Sequence, residues 1–507
     1  MKMRRVEFVA LLLSLAGILA AFFVADRVFE RVPHLEDEMA FVWQAKVFAH
    51  GELTAPIPPK PSNMWAPFVV NYDGHRFGKY PPGWPMTLAL GIALGVRAWV
   101  NPFLGGLAIW LTFRLGQKIF HASTGLLAAF LTLTSPFFMI NSGSLDSHPW
   151  SLALSLAFAL AWMDTFDISS QPGESHRRTL VPRWMTIAVA GLTLGLLALT
   201  RPLTALGVAL PFFLHGLVLL WRGGTGVRGR VLWIGAITLL VGSLFLVWQY
   251  AVTGNPFLNP YTLWWSYDQV GFGPGIGIVK GGHTLWLAVQ NTRVMLYAAA
   301  KDLFGWGVFS WLFLPFGLWV IRRNRAAWLP VSVFASLVGM YMLYWVASIG
   351  QYGPRYYYES LYSLTLLSAA GILWLAGWVK PWNQRKICTA LVVTLTTALV
   401  GYNLVAYLPA QLNGLYGFYG VTRSQLAPFL TSQAQTYTPA LVFVHIKKEW
   451  TEYGGLLELE DPWLTTPFIF AVSSNPVIDA AIASHYPDRR VIHYYPDEPE
   501  KFYESPR

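Results

Sequence analysis

The sequence predicts an all-α, polytopic membrane protein with a small α/β unit at its C-terminal end. Three observations carry that prediction. Apolar residues make up 54% of the chain and charged ones only 12%, about half the charged fraction of a soluble domain. Apolar stretches near membrane-spanning length recur between residues 8 and 407, each closed by a basic or Pro/Gly cluster, as expected of helices that cross about 30 Å of hydrocarbon. Residues 409–507 lose that pattern.

The apolar stretches are 8–25, 99–115, 123–141, 149–163, 184–200, 203–221, 231–251, 304–321, 327–346, 360–379 and 387–408, or about eleven spans of helical length. The first follows a short basic start and has the outline of a secretory signal, but its length reads as a retained span. Residues 85–94 are apolar but too short to cross, and read as a helix lying at the interface. A membrane body over 1–408 and an extracytoplasmic unit over 409–507 follow.

Basic residues set the orientation. With the N-terminus inside, seventeen Lys and Arg fall in loops that become cytoplasmic, whereas the short loops opposite carry only Arg201 and Arg355. The long loops 26–98 and 252–303 and the C-terminal unit then face outward, giving an N-in, C-out protein of a bacterial-type inner membrane. The net charge of +10 and pI near 9.5 belong to these anchors, so no nucleic-acid partner is implied. The lone Cys388 excludes a disulfide framework. In the tail, 440–446, 467–472 and 490–495 read as strands and 476–485 as a helix.

Ionisable groups away from cytoplasmic anchors are expensive in such a chain, and each is a functional candidate. Four clusters stand out, all on the outer side of the derived topology. Glu36, Asp37 and Glu38 open an amphipathic helix after the first span. The segment 71–85, NYDGHRFGKYPPGWP, contains His75, Arg76 and Lys79, with a turn at Asp73-Gly74. Asp146 and His148 share a short turn within 141–150. Arg355 and Tyr357 lie in 350–359, GQYGPRYYYE. The glycine-rich run 271–282 fits neither GxxxxGK[ST] nor GxGxxG and reads as a flexible outer loop.

Carboxylates and cations meeting at one membrane face suit sugar transfer from a lipid phosphate. A carboxylate takes the proton of an acceptor hydroxyl, and cations hold the departing phosphate. A nucleotide-sugar donor lacks its glycine-rich binding element here.

These residues resemble the C-type glycosyltransferase superfamily, in particular family 39 and its bacterial relatives, the protein O-mannosyltransferases and lipid A aminoarabinose transferases. The resemblance rests on Asp37-Glu38 after the first span, on Lys79-Tyr80-Pro81-Pro82-Gly83, and on Asp146 between the third and fourth spans. It implies a polyprenyl-phosphate sugar donor, a glycan, lipid or protein acceptor, and an active site on the periplasmic side of the bilayer. It implies Asp37 as catalytic base with Glu38 beside it, and Lys79 and Arg355 at the donor phosphate. Asp146 and His148 become candidate ligands of a divalent metal. His75, Arg76 and Tyr357 are expected around the same pocket. Two other classes fit a multi-span chain: a lipid-linked glycan transporter or flippase, expected to carry midplane charges and repeat symmetry, and an O-antigen ligase or polymerase, expected to use a diphosphate-linked donor.

Overall fold

The computed structural model describes residues 5–169, 181–348, 350, 352–377 and 385–507. Its body is helical. α1 (Arg5–Arg27) buries a narrow face of mainly small residues, Ala10, Ser14, Gly17 and Ala21, and leaves Phe8, Leu12, Leu19 and Phe23 exposed. Small inward residues with large apolar outward ones are the pattern of a helix that packs on neighbours while facing lipid.

The chain then leaves the bundle through α2 (Glu36–Ala49), a small sheet and α3 (Gly83–Ala93). The sheet has antiparallel order β1-β3-β2, from β1 (Ala55–Pro56), β2 (Val69–Tyr72) and β3 (His75–Gly78). Asp73 and Gly74 both take positive φ in its hairpin turn, the Asp-Gly signature of a two-residue hairpin.

The chain re-enters through α4 (Val100–Ile119), α5 (Ala122–Thr134), α6 (Pro136–Gly143), α7 (His148–Thr165), α8 (Arg183–Thr200), α9 (Pro202–Arg222), α10 (Thr225–Gly242) and α11 (Leu244–Thr253). After α12 (Pro260–Trp264) come α13 (Leu285–Asp302), α14 (Leu314–Ile321), α15 (Arg325–Tyr341), α16 (Leu361–Leu375), α17 (Arg385–Tyr402) and α18 (Leu408–Leu415). α4 packs on α1, α5 and α7; α8 on α7 and α10; α15 on α9; α16 on α14. α16 is the most enclosed, with every residue from Leu361 to Leu373 buried, whereas α10 buries only Ile234. A helix apolar on all sides fits either place, bundle centre or lipid-facing rim.

Each expected apolar stretch holds a helix. Among the described residues, five helices are long and apolar enough to cross a membrane unaided, and two bent pairs raise that to seven. The other expected spans are shorter, as α15 and α16 are, or carry polar residues, as α4 and α7 do. The α5–α6 pair bends by 62° at Ser135-Pro136, where proline interrupts the ladder and the Ser135 hydroxyl caps the new helix.

Two expectations are corrected. Part of the outer segment 252–303 is helical, because Thr284 caps α13; Arg293, Lys301 and Asp302 had broken its apolar run in the sequence. α2 is enclosed on nearly every face instead of amphipathic. Phe41, Val42 and Ala45 meet Trp84, Leu88 and Ala89 of α3, while Met39 joins a cluster with Val421, Leu456 and Phe470.

That last cluster belongs to a four-stranded sheet of order β5-β4-β6-β7: β4 (Ala440–Val444), β5 (Phe468–Val472), β6 (Arg490–Tyr494) and β7 (Phe502–Tyr503). β4 is fully buried and parallel to both neighbours, and the helix Pro476–Ala483 makes the crossover from β5 to β6. Lys46 of α2 donates to the carbonyls of Leu457, Glu458 and Glu460 at 3.4, 3.1 and 2.7 Å. Arg97 pairs with Glu458 at 2.8 Å. The C-terminal region is thereby clamped over α2.

Four of the connections read as cytoplasmic meet at one end of the bundle. Lys118 pairs with Asp164 at 2.6 Å, Arg183 and Arg230 donate to Thr165 O at 2.9 and 2.8 Å, and Asn324 donates to Ile119 O at 2.8 Å. Lys2, Arg4, Arg177, Arg178 and Lys380 of the same charge pattern lie outside the described residues.

Candidate active site

At the other end of the bundle, where α7 and α9 begin and α8 and α15 finish, lies a cavity of about 360 Å³. Its walls come from distant parts of the chain: Glu36, Asp37 and Phe41 of α2, Lys79 to Pro81, Ser147, Arg201, the segment 265–270, the end of α15, and Arg355 with Tyr356. The Pro-Pro-Gly element brings two of these walls together. Pro82 precedes α3, and a Cβ on Gly83 would stand 2.9 Å from the Leu199 carbonyl and closer still to the Thr200 hydroxyl. Only glycine allows that approach. It sets Lys79 and Arg201 on one cavity.

Asp37 accepts a short hydrogen bond from the Tyr80 hydroxyl, and its other oxygen is 3.5 Å from Arg355 Nη1. The Tyr80 phenol is held far above its ordinary range, first by burial and then by Asp37 beside it, so it remains a donor. Glu36 also lines the cavity; burial first, then the adjacent Asp37, raise its carboxyl above the usual range, with Lys79 opposing.

Lys79 Nζ lies 3.3 Å from Asp268 Oδ2, and over the rings of Phe68 and Trp265 at 3.7 and 4.5 Å. Burial draws its ammonium below the usual lysine range, and Asp268 works against that shift. Asp268 is fixed in turn by Tyr344 OH at 2.8 Å and Trp345 Nε1 at 3.2 Å. Arg355 Nη1 binds Asp146 Oδ2 at 2.7 Å. Arg201 donates to Ser147 Oγ at 3.0 Å and Tyr341 OH at 3.3 Å. Two guanidiniums and one ammonium therefore border a cavity that also holds a partly open carboxylate.

No protein-family model matches the sequence, and no curated protein matches it. Solved structures do. ArnT from Cupriavidus metallidurans bound to undecaprenyl phosphate superposes with a TM-score of 0.54 at 15% identity, over 95% of this chain and 89% of that one. The archaeal oligosaccharyltransferase AglB from Archaeoglobus fulgidus, in complex with an inhibitory peptide and a dolichol-phosphate, gives 0.51 at 13% identity over 95% and 69%. The chain shares the fold of these two proteins. That fold and the helices long and apolar enough to cross a membrane fit a polytopic helical membrane protein.

Within this fold, the expected residues divide. Asp37, Lys79 and Arg355 line the cavity, and Asp146 stands directly behind Arg355. Glu38 does not belong with Asp37. It is buried, its Oε2 accepts from the His34 and Leu35 amides at 2.7 and 3.2 Å, and its Oε1 accepts from the Leu145 amide at 2.9 Å. Burial raises its carboxyl to about 7 against the pull of those amides. It is a clamp between α2 and the turn carrying Asp146, one helical step, about 100°, away from the cavity face.

His75 is exposed at the start of the central strand β3, near Thr54, and is not among the cavity's lining residues. Arg76 points the other way from Lys79 because their odd spacing alternates across the strand; it is buried over Trp43 and donates to Met64 O at 2.6 Å. Tyr357 packs edge-on to Phe334, and Tyr356 takes the cavity position, stacked on Tyr341 at 4.5 Å. Asp146 and His148 are partnered within the protein: Asp146 Oδ2 accepts from Arg355 at 2.7 Å, and His148 Nδ1 meets Glu359 Oε1 at 2.9 Å. Among the described residues no group of three or more His, Cys, Asp or Glu is arranged to hold a metal ion. AglB has been solved with Zn and sulfate, at a TM-score of 0.50 and 13% identity over 94% of this chain and 67% of that one.

Sequence reasoning missed Arg201, Asp268, Glu36 as a cavity group and Glu359. Arg201 was visible as one of two cations in the short outer loops, and Asp268 as one of two acids in 252–303.

Proposed function

We propose that the chain transfers a sugar from a polyprenyl-phosphate donor to a hydroxyl of a lipid, glycan or protein acceptor, with inversion, on the extracytoplasmic side of a bacterial-type inner membrane. The observation that carries this reading is the one cavity in which the Asp37 carboxylate is bordered by Lys79, Arg201 and Arg355. The basic connections gathered at the far end of the bundle support an outward-facing cavity.

In the reaction, the acceptor oxygen attacks the anomeric carbon as Asp37 takes its proton. The bond from that carbon to the phosphate oxygen breaks with its electron pair passing to the phosphate, which leaves as the lipid monophosphate. Lys79, Arg201 and Arg355 balance the charge that develops there. Tyr80 orients the Asp37 carboxylate. Leu203, Phe245 and Val346 supply an apolar wall for the isoprenoid chain.

The test is mass spectrometry of envelope lipids and glycans after gene removal, followed by transfer from a labelled polyprenyl-phosphate sugar in proteoliposomes. Loss of one glycosylated species, and its formation in vitro, is the expected result. Translocation of the labelled lipid without a new glycosidic bond, or use of diphosphate-linked donors alone, would overturn the proposal.

A further inference from the structure

Behind the cavity wall, a chain of buried polar groups connects its two guanidiniums by two routes. In the first, Arg201 Nε stands 3.5 Å from Glu359 Oε1, which accepts from His148 Nδ1 at 2.9 Å. His148 Nε2 is 3.8 Å from Asp146 Oδ2, and Asp146 Oδ2 is 2.7 Å from Arg355 Nη1. In the second, Ser147 Oγ accepts from Arg201 Nη1 at 3.0 Å and donates to Asp146 Oδ1 at 3.2 Å. Arg201, Ser147 and Arg355 border the cavity; Glu359 and His148 are not part of its lining.

We infer that Glu359 and His148 are a positioning pair that holds Arg201 and Arg355 apart as a two-guanidinium clamp for the donor phosphate. The inference rests on the proposed donor class. Its physical basis is that both arginines have long, mobile side chains beside the Asp37 carboxylate, and an unrestrained Arg355 would close onto it. Instead Asp146 keeps Arg355 at 2.7 Å while Asp37 is 3.5 Å away. Asp37 Oδ2 is left with the longer of the two Arg355 contacts.

Stability alone is a poor explanation of Glu359. Its side chain is 0% exposed, and its Oε2 has no hydrogen-bond partner among the described residues. A buried ion pair with an oxygen left over gains little or nothing over an apolar core of the same shape. What it does supply is a fixed direction for the planar Arg201 fork, the geometry that phosphate recognition uses.

The experiment titrates undecaprenyl phosphate, as probe, against the full-length protein in nanodiscs, with donor KM and kcat measured on the same samples. Glu359→Gln is compared with wild type and with Ser155→Ala, which removes a buried hydrogen bond to Tyr362 away from the cavity. The expected result is binding on the order of 10-fold weaker in Glu359→Gln, with a matching rise in donor KM and no change in Ser155→Ala. Glu359→Gln with wild-type affinity, even if its melting temperature falls, would show a merely structural residue and overturn the inference. Should that variant not give monodisperse protein, His148→Asn tests the same link, and wild-type affinity there has the same meaning. A wild type that binds no undecaprenyl phosphate would instead remove the donor class on which the inference stands.

Discussion

Two adjacent carboxylates should fail in opposite ways. Asp37→Asn removes the proposed base but leaves an oxygen to accept from Tyr80. Its ion pair with Arg355 spans 3.5 Å with 28% of the Asp37 side chain exposed, so its loss costs stability at most about 1 kcal/mol. Transfer should fall by about 10²–10⁴-fold, equivalent to roughly 3–5 kcal/mol of transition-state stabilisation. Glu38→Gln is the reverse case. Its best orientation keeps the amide oxygen on the His34 and Leu35 amides and leaves the buried Leu145 N–H facing an NH₂ group. One unpaired buried donor and two hydrogen bonds deprived of charge cost about 2–4 kcal/mol. The midpoint of thermal unfolding should therefore drop, while transfer per folded molecule at low temperature falls less than about tenfold. The assay is labelled-sugar transfer normalised to monodisperse protein, alongside a thermal melt of each variant. Near-wild-type transfer by Asp37→Asn, or a Glu38→Gln protein that melts like wild type but is inactive, would refute the assignment.

Other outcomes follow from the same geometry. Because burial lowers Lys79 and a cation exists only below its pKa, donor binding should weaken as pH rises through a value below that of an ordinary lysine; donor KM against pH should show this limb in wild type and lack it in Lys79→Gln. Lys46→Met removes the lysine donor from the Glu458 and Glu460 carbonyls and one of two donors from that of Leu457 and should cost about 1–3 kcal/mol, read in limited proteolysis as early release of the C-terminal region; an unchanged digestion pattern counts against the clamp. His75→Ala, at an exposed side chain on the first residue of β3, should change stability by no more than about 0.5 kcal/mol and leave transfer untouched; a large loss of activity would return His75 to the site.

The helical body was legible because lipid imposes a coarse rule. Every stretch that read as a span holds a helix, since backbone groups in hydrocarbon must be satisfied internally. What escaped was helix whose polar residues broke the apolar run, as in α13 with Arg293 and Lys301, and the enclosure by protein of α2, expected as an amphipathic helix. Neither enclosure nor lipid contact leaves a distinct mark in one sequence, because both favour apolar residues. In the tail, strands and crossover helix were readable from local pattern, whereas the two-residue β7 is defined only by its pairing with β6.

The site was legible to the level of a segment and not of a side chain, and the reason is phase. On α2, Asp37 shares the cavity with Phe41, four residues on, while Glu38 has turned to the Leu145 amide. Along the strand leading to Lys79, alternation sends Arg76 to the opposite face. The same ambiguity exchanged Tyr357 for Tyr356 in the short helix after Arg355. Each error is a neighbour, because sequence gave the right element without the direction of its buried face. Arg201 is a different case. Its position at the α8–α9 junction was read as topology, since a cation at a helix end has a sufficient explanation in snorkelling. Only the hydrogen bonds to Ser147 and Tyr341, which turn it inward, separate a membrane anchor from a group that can meet a phosphate.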